Sequence, residues 1–307
     1  MTAQLLRRIK ATRQDRFLAA GSRSHIFMPN RSKNLSDDSI TNKILKFISA
    51  SPSKITSIKL EKILSEHYEL EKEQIKSVIR DLVNRGELVY TYEFGSTFLE
   101  RSFNKPVRVS KRVVLKPPEY HYQSRPGGKD VVIRIKPGAS FGDGRHPTTR
   151  LAIKGIEYVL KEFKLAEGEH QNTVLDIGTG TGILVLSAVG LGMHGGIGID
   201  IDPCARSEAK QNIVINGLED RIEISDQYLE TIDQTFFLVT ANLRVPTLKK
   251  MCSFLRKITV AKGFIVLSGF RSHESAELIK TYYRKKFEKL WESKELDWMG
   301  VVLRKLE

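Results

Sequence analysis

The chain has 307 residues, which is long enough for two domains, and its 40% apolar content is typical of a folded globular protein. The longest apolar run, 183–193, is interrupted by serine and glycine and is far shorter than the roughly 20 residues of a membrane-spanning helix. Cys204 and Cys252 have the spacing of neither a disulfide framework nor a zinc site, so we expect no metal and a reducing, cytoplasmic location.

The positive charge is concentrated in the front part of the chain. Residues 1–125 contain 24 lysines and arginines against 13 acids, a net charge of +11, whereas residues 126–307 contain 26 against 23. Such asymmetry predicts that the front part contacts an anionic partner, most often nucleic acid or a ribonucleoprotein. The alternative is that these charges only keep a domain in solution.

Residues 1–35 read as a basic tail or arm, in which Asp15 is the only acid against eight lysines and arginines. An arm that contacts nucleic acid is one interpretation of this composition. A mitochondrial targeting segment, which is also arginine-rich and poor in acids, is the other.

Residues 36–102 are predicted to form a small domain of three helices followed by a β-hairpin. Apolar residues recur at helical spacing three times, and the strands 88–92 and 97–100 flank a Glu-Phe-Gly-Ser turn. This order resembles a winged-helix domain, whose third helix often enters the DNA major groove. That helix carries both bases and acids, so nucleic-acid contact and protein docking both stay open. Residues 103–130, rich in proline, glycine and basic residues, read as a connector.

Residues 131–307 alternate strand and helix patterns, which predicts a mostly parallel sheet with helices on both faces. The last two strand patterns, 287–293 and 298–304, have no helix between them and should form an antiparallel hairpin. The fold class is therefore a Rossmann-like α/β domain behind a smaller winged-helix-like α+β domain. A parallel sheet that ends in such a hairpin resembles the class I methyltransferases. The other predicted elements are the strands 173–177, 196–200, 221–224, 236–241 and 263–267, and the helices 182–190, 203–216, 246–258 and 275–286.

A glycine-rich turn, VLDIGTGTGIL at 174–184, follows the first of these strands. Gly178, Gly180 and Gly182 let the backbone turn sharply and approach a ligand closely. Asp200 ends the next strand, 22 residues after Gly178, where an acid can accept hydrogen bonds from both ribose hydroxyls. Together with the hairpin, this arrangement resembles a site for S-adenosylmethionine. The resemblance also implies that Asp176 orients the methionyl amine and that Asp226 reaches the adenine amino group, although Asp226 could be a solvated loop acid.

Four segments resemble the PrmA-type methyltransferases, which methylate amino groups of a ribosomal large-subunit protein. They are IRIKPGASFGDGRHPTT at 133–149, GIGIDIDP at 196–203, VTANL at 239–243 and the terminal WMGVVLRK. The resemblance covers roughly 131–305. It implies N-methylation of amino groups on a protein substrate, such as a ribosomal protein or a ribonucleoprotein component, with S-adenosylmethionine as cofactor.

The same resemblance assigns further residues to the site. Phe141, His146, Thr148 and Thr149 would line the cofactor and substrate mouth, and Asn242 would present an acceptor to the incoming amine. Each has a structural alternative: His146 or Thr148 could only cap the helix that follows, and Asn242 could only cap the fourth strand.

This sequence departs from the family pattern at the mouth and in the front domain. Asp143 and Arg145 replace small or hydroxyl residues, and Arg244 follows the Asn-Leu pair. Two fixed positive charges would repel a lysine ammonium and attract a phosphate or carboxylate. The family's front domain is a small α/β unit rather than three helices and a wing.

Two other functions therefore stay open. One is methylation of RNA or DNA, with the basic front region holding the substrate. The other is a non-catalytic regulator that binds S-adenosylmethionine. Against the commonest nucleic-acid enzymes, the chain has Asn-Leu-Arg-Val at 242–245 instead of an adenine-type motif, and its Pro-Cys pair at 203–204 follows the wrong strand for cytosine chemistry.

Overall fold

The computed structural model describes residues 37–51, 54–68, 70–93, 95–124, 127–136, 138–163 and 172–307. The chain divides into two compact units, Met1–Arg101 and Ser102–Glu307, and each is described by itself. The predicted basic tail, 1–35, lies outside the described residues. Within the described residues, no helix is long and apolar enough to cross a membrane.

The first unit has three helices and a hairpin, in the predicted order. Helix α3 packs its apolar face against α1 and α2, and Leu99 of the hairpin donates its backbone N–H to the carbonyl of Ile55, which ties the hairpin to the chain before α2. The assignment to the winged-helix class stays a prediction. The elements are α1 (Asp37–Ala50), α2 (Ser57–Tyr68), α3 (Lys72–Asn84), β1 (Leu88–Glu93) and β2 (Ser96–Arg101).

The second unit begins with a small three-stranded sheet. Its strands are β3 (Val107–Arg108), β4 (Val113–Lys116) and β5 (Val131–Arg134), with β4 parallel to β5. Two of these strands lie in the stretch that the sequence predicts as a connector. The segment PVRVSKRVVL at 106–115 alternates like a strand, and both strands begin within it, but such short strands give no local signal of the sheet that they form.

The large sheet follows the predicted alternation of strands and helices. Its elements are α4 (Pro147–Glu162), β6 (Thr173–Ile177), α5 (Ile183–Leu191), β7 (Gly195–Ile199), α6 (Pro203–Asn216), β8 (Ile222–Ser225), β9 (Phe236–Asn242), α7 (Val245–Ile258), β10 (Thr259–Arg271), α8 (Ser272–Tyr283), β11 (Phe287–Glu295) and β12 (Trp298–Lys305).

The predicted Rossmann-like fold is confirmed. The strand order is β11-β12-β10-β9-β6-β7-β8, and β10, β9, β6, β7 and β8 run parallel, while β12 is antiparallel to both of its neighbours. Parallel strands joined by helices place all their carboxyl ends at one edge of the sheet. The turns after β6, β7, β8, β9 and β10 therefore meet at that edge.

Side chains of each strand alternate between two cores, one on each face of the sheet. In β10, Phe264 and Val266 pack with helices α4 to α6, whereas Ile265 and Leu267 pack with α7 and α8. A strand that is buried on both faces reads as a continuous apolar run, as FIVL does here. The strands that hold the loops at the carboxyl edge are therefore packed on both faces.

We expect Leu267→Ala to lower the free energy of unfolding by about 2–5 kcal/mol, because Leu267 is fully buried and its removal leaves a cavity. Urea unfolding followed by circular dichroism measures this change. Val214→Ala is the control, since Val214 is 61% exposed, and it should change stability by less than about 0.5 kcal/mol. Equal effects for the two variants would contradict the assigned core.

Candidate functional site

Three loops meet at the carboxyl edge of the large sheet. We call residues 141–146 the lip, residues 178–182 the glycine loop and residues 242–244 the Asn242 loop. The lip precedes α4, the glycine loop joins β6 to α5, and the Asn242 loop joins β9 to α7. The three loops are far apart along the chain, and the order of the strands in the sheet brings them together.

The lip lies directly on the glycine loop. Thr181 donates its backbone N–H to the carbonyl of Phe141 at 3.1 Å and its hydroxyl to the carbonyl of Gly142 at 2.8 Å. A β-carbon on Gly180 would lie 2.2 Å from the Phe141 carbonyl oxygen, and Gly180 has a φ of +54°. Position 180 therefore requires glycine both for its conformation and for this close approach.

The other two glycines of the loop also have left-handed backbone. Gly178 has a φ of +69° and its backbone faces Leu243, while Gly182 has a φ of +80° and begins α5 against Ala209. Gly178 is exposed, whereas Gly180 and Gly182 are buried. Gly178 is thus the member of the predicted triplet whose backbone is open to a ligand.

His146 is the N-cap of helix α4. Its Nδ1 accepts a hydrogen bond from the backbone N–H of Thr148 and lies 2.7 Å from the Thr148 hydroxyl. Because a backbone N–H can only donate, Nδ1 is an acceptor, and in the neutral ring the proton is on Nε2. The structural alternative of helix capping thus applies to His146 and not to Thr148, which lies inside the first turn. The Thr149 side chain is also buried in that turn, and its hydroxyl has no hydrogen-bond partner among the described residues.

An aromatic wall runs beside the lip. The rings of Phe141 and His146 are 5.2 Å apart, and the ring of Trp298 meets His146 edge-on at 4.8 Å. The guanidinium of Arg271 lies 3.7 Å above the Trp298 ring, a cation–π contact. Trp298 and Arg271 are site residues that the sequence reasoning missed, because nothing local indicates that the terminal hairpin returns to the lip.

Arg150 fastens the lip to the same hairpin. It donates to the carbonyls of Gly144 and Arg145 and forms an ion pair with Glu295, which Lys154 also contacts at 2.9 Å. Burial alone would raise the pKa of Glu295, but the charges of Arg150 and Lys154 hold that pKa below its ordinary value. Glu295 therefore stays ionised at neutral pH and keeps its ion pairs with Arg150 and Lys154.

Asp176 lies under the glycine loop and is completely buried. Its two carboxylate oxygens accept the hydroxyls of Thr179 and Thr240, each at 2.7 Å. Burial raises the pKa of Asp176 to about 6, although both hydroxyls favour the charged form. In this arrangement Asp176 fixes the glycine loop on β9, and its predicted contact with the methionyl amine stays a prediction.

Asp200 faces the glycine loop from the end of β7. Its Oδ2 accepts the backbone N–H of Gly180 at 2.9 Å, and its Oδ1 accepts that of Asp202 at 3.0 Å. Each carboxylate oxygen has a second lone pair, so two further hydroxyl donors can be accepted. The two backbone contacts hold the carboxylate in place for them.

A groove of about 420 Å³ lies next to Asp200. Its lining includes Ile201, which is 82% exposed, and the predicted Asp226, whose carboxylate is 3.8 Å from Arg206. The sequence reasoning did not assign Ile201 to the site, although the isoleucine directly follows Asp200, the acid predicted to bind the ribose. The lining residues are Ile201, Arg206, Asp226, Gln227, Tyr228 and Thr231.

The Asn242 loop is held by β10. Leu243 donates its backbone N–H to the carbonyl of Ser268 at 3.1 Å, and a β-carbon on Gly269 would lie 2.4 Å from the Leu243 carbonyl oxygen. Asn242 is half-buried at the end of β9. The Leu243 side chain touches Gly178, so Asn242 lies beside the open part of the glycine loop.

The two unusual charges of the lip neutralise each other. Asp143 accepts the backbone N–H of Arg145 at 2.9 Å and pairs with its guanidinium at 3.1 Å, and Arg145 also contacts Asn104. Arg244, by contrast, is exposed at the start of α7. Of the two arginines that the sequence predicts at the mouth, Arg145 is therefore compensated, while Arg244 forms no ion pair among the described residues.

Residues 98–306 match the family described as Ribosomal protein L11 methyltransferase (PrmA). The chain belongs to this family. The resemblance drawn from the motifs is thus confirmed, and the match begins at the end of the first unit.

The chain is also similar to individual PrmA proteins. A Ribosomal protein L11 methyltransferase of Geobacter sp. (strain M21) is 34% identical over 201 residues, which are 66% of this chain and 64% of that protein. One of Geotalea daltonii is 35% identical over 181 residues, 57% of this chain and 56% of that protein. The chain thus spans less than two thirds of the length of these relatives. A crystal structure of ribosomal protein L11 methylase from Lactobacillus delbrueckii subsp. bulgaricus has a TM-score of 0.57 and 28% identity, covering 66% of this chain and 99% of that chain.

The raised pKa of Asp176 makes a testable prediction about stability. A carboxyl group whose pKa is higher in the folded than in the unfolded state destabilises the fold as the pH rises from about 4 to above 6. We expect Asp176→Asn to raise the free energy of unfolding at pH 8 by on the order of 1–3 kcal/mol relative to the parent. At pH 4 the difference should vanish. Urea unfolding at the two pH values measures it, and a pH-independent difference would contradict the buried, raised-pKa carboxyl.

Proposed function

We propose that this protein transfers methyl groups from S-adenosylmethionine to amino groups of a protein substrate of the ribosomal type. The observation that carries the proposal is the convergence of the lip, the glycine loop and the Asn242 loop at one edge of the sheet. Membership in the PrmA family, whose relatives are named for methylation of ribosomal protein L11, supports this substrate class.

The described residues fit the cofactor. Asp200 retains lone pairs for two ribose hydroxyls, the groove with Ile201 and Asp226 has room for an adenine ring, and the open backbone of Gly178 suits the methionine part. The unpartnered Thr149 hydroxyl and the positive end of the α4 dipole suit a carboxylate. S-adenosylmethionine, when bound, supplies an electrophilic methyl group on a sulfonium.

Asn242 and the aromatic wall are the acceptor side of the proposed site. The Asn242 side-chain carbonyl can accept a hydrogen bond from an incoming amine, and the Leu243 backbone is held rigidly for the same purpose. His146 presents Nε2–H, so the neutral ring is a donor at that atom and not a base. Desolvation lowers the pKa of an amine as it enters the mouth, so the amine can release its proton to solvent water before it is fully enclosed, without a dedicated side chain.

The charge of the mouth opposes an amine substrate less than the linear sequence suggests. The sequence alone predicts two arginines that repel a lysine ammonium, but Asp143 compensates Arg145. The arginines that remain are Arg244, exposed on the Asn242 loop, and Arg271, whose guanidinium lies on the Trp298 ring. An approaching cation therefore meets much less positive charge than the linear sequence suggests.

Nucleic-acid methylation has weaker support from the charges. Residues 37–101 contain 10 lysines and arginines against 11 acids, so the positive excess of the front part lies in 1–36 and 102–125. The three-helix unit therefore offers no net attraction to a phosphate backbone.

We propose a cytoplasmic location, where ribosomal substrates are made.

Asp200→Ala should weaken the binding of S-adenosylhomocysteine by roughly 10- to 100-fold, because the ribose loses a charged acceptor. Isothermal titration calorimetry measures this affinity. Asp220→Ala, an exposed acid remote from the loops, is the control. Unchanged affinity in Asp200→Ala would remove Asp200 from the cofactor site.

Incubation with methyl-labelled S-adenosylmethionine and a cell lysate tests the reaction itself. We expect label that is sensitive to protease. Label sensitive only to nuclease would identify a nucleic-acid methyltransferase, and cofactor binding without any label would identify a non-catalytic regulator.

Asn242→Ala should abolish this labelling, because in the proposed site the Asn242 side chain binds the substrate amine. Cofactor affinity should change by less than about twofold. Gln234→Ala, at an exposed position just before the start of β9, is the control and should keep full labelling. Full activity of Asn242→Ala would remove Asn242 from the site.

A further inference from the structure

A cluster of basic residues lies at the opposite end of the large sheet from the candidate site. It surrounds the start of β10 and β11 and the end of β12, and we call it the basic pole. Its members are Arg256, Lys257, Lys262, Arg284, Lys285, Lys286 and Lys305. Thr259 and Ser268 of β10 pair with Phe236 and Asn242 of β9, which are about 20 Å apart along the strand, so the basic pole does not overlap the candidate site.

Backbone contacts hold these residues together. Arg256 donates to the carbonyl of Lys285 at 2.9 Å, and the Lys305 ammonium donates to the carbonyls of Arg256 and Thr259. Leu306 donates its backbone N–H to the carbonyl of Lys286. Burial and the charge of Arg256 lower the pKa of Lys305. The basic pole is therefore a surface built from four segments, namely α7, β10, the turn between α8 and β11, and β12.

The positive charge of the basic pole is largely uncompensated. Lys257 pairs with Asp233 at 3.2 Å, and Glu288 lies opposite Arg304 in the terminal hairpin. Lys262, Arg284, Lys285 and Lys286 are exposed, and among the described residues none of these four forms an ion pair. Such a concentration of cations attracts a polyanion.

Two of these lysines have left-handed backbone, Lys262 with a φ of +60° and Lys286 with a φ of +61°. Lys262 lies in an irregularity of β10 between Thr259 and Phe264, and Lys286 follows α8 where glycine is the usual residue. Glycine or asparagine would adopt this backbone more easily. A lysine at both turns indicates that the side chain, and not the backbone, suits these positions.

We propose that the basic pole binds the phosphodiester backbone of nucleic acid. Tyr283, 49% exposed and adjacent to Arg284, offers a ring on which a base can stack. Beside the basic pole, Tyr283 and Leu306 are the large apolar side chains that the described residues expose, and an amphipathic surface that inserts into lipid presents more. This binding is independent of methyl transfer, because it uses the other end of the sheet.

The triple variant Lys262→Asn, Arg284→Gln, Lys286→Asn tests the proposal in the full chain. Asparagine tolerates left-handed backbone, so the two turns keep their conformation while three charges are removed. The control removes three exposed lysines elsewhere in the second unit, by Lys129→Gln, Lys136→Gln and Lys210→Gln. Calorimetric melting of both variants checks that they remain folded.

Binding is measured without cofactor by fluorescence anisotropy, with a labelled single-stranded RNA and a duplex DNA of about 20 nucleotides. We expect the basic-pole variant to bind about tenfold more weakly near physiological salt, and its salt dependence for RNA to fall by about two slope units. The control should change the affinity by less than about threefold. Equal losses in both variants, or no loss in the basic-pole variant, would overturn the proposal. Basic-pole-dependent binding to phosphatidylserine vesicles without binding to either nucleic acid would also overturn it.

Discussion

The carbonyl oxygen of Phe141 occupies the space that a side chain at position 180 would need. This contact fixes the lip against the glycine loop, and the two hydrogen bonds from Thr181 lock it there. Asp200 accepts the Gly180 N–H, so the glycine loop is held between the lip and the end of β7. Every other feature of the proposed cofactor site depends on this close approach, which only glycine permits.

Two further sets of contacts connect the loops of the site to the rest of the sheet. Arg150 joins the lip to Glu295 of the terminal hairpin, and the Asn242 loop is tied to β10 through Leu243 and Ser268. The hairpin, β10 and the glycine loop thus form a continuous frame around the mouth. The tie between Leu243 and Ser268 joins two backbone atoms, whereas the tie to the hairpin needs the side chains of Arg150 and Glu295. The reacting groups that we propose can therefore be positioned without a bound metal or a covalent nucleophile.

Charge is distributed differently at the two ends of the sheet. At the mouth, two arginines are paired with acids, Arg145 with Asp143 and Arg150 with Glu295, while Arg244 is exposed. At the basic pole, exposed cations such as Lys262 and Lys286 have no such partners among the described residues. A protein with this arrangement can attract a polyanion at one end while it admits a cationic amine at the other.

The sequence by itself determined the parallel sheet, the terminal hairpin and the glycine loop with Asp200, because these are local patterns of periodicity and spacing. It also identified the family. Tertiary structure alone decided that Trp298 and Arg150 border the lip and that Asp143 neutralises Arg145, since contacts between distant segments leave no local signal. The sequence did not predict the basic pole for the same physical reason. Its charges are far apart along the chain, and they become neighbours only where the strands of one sheet begin and end.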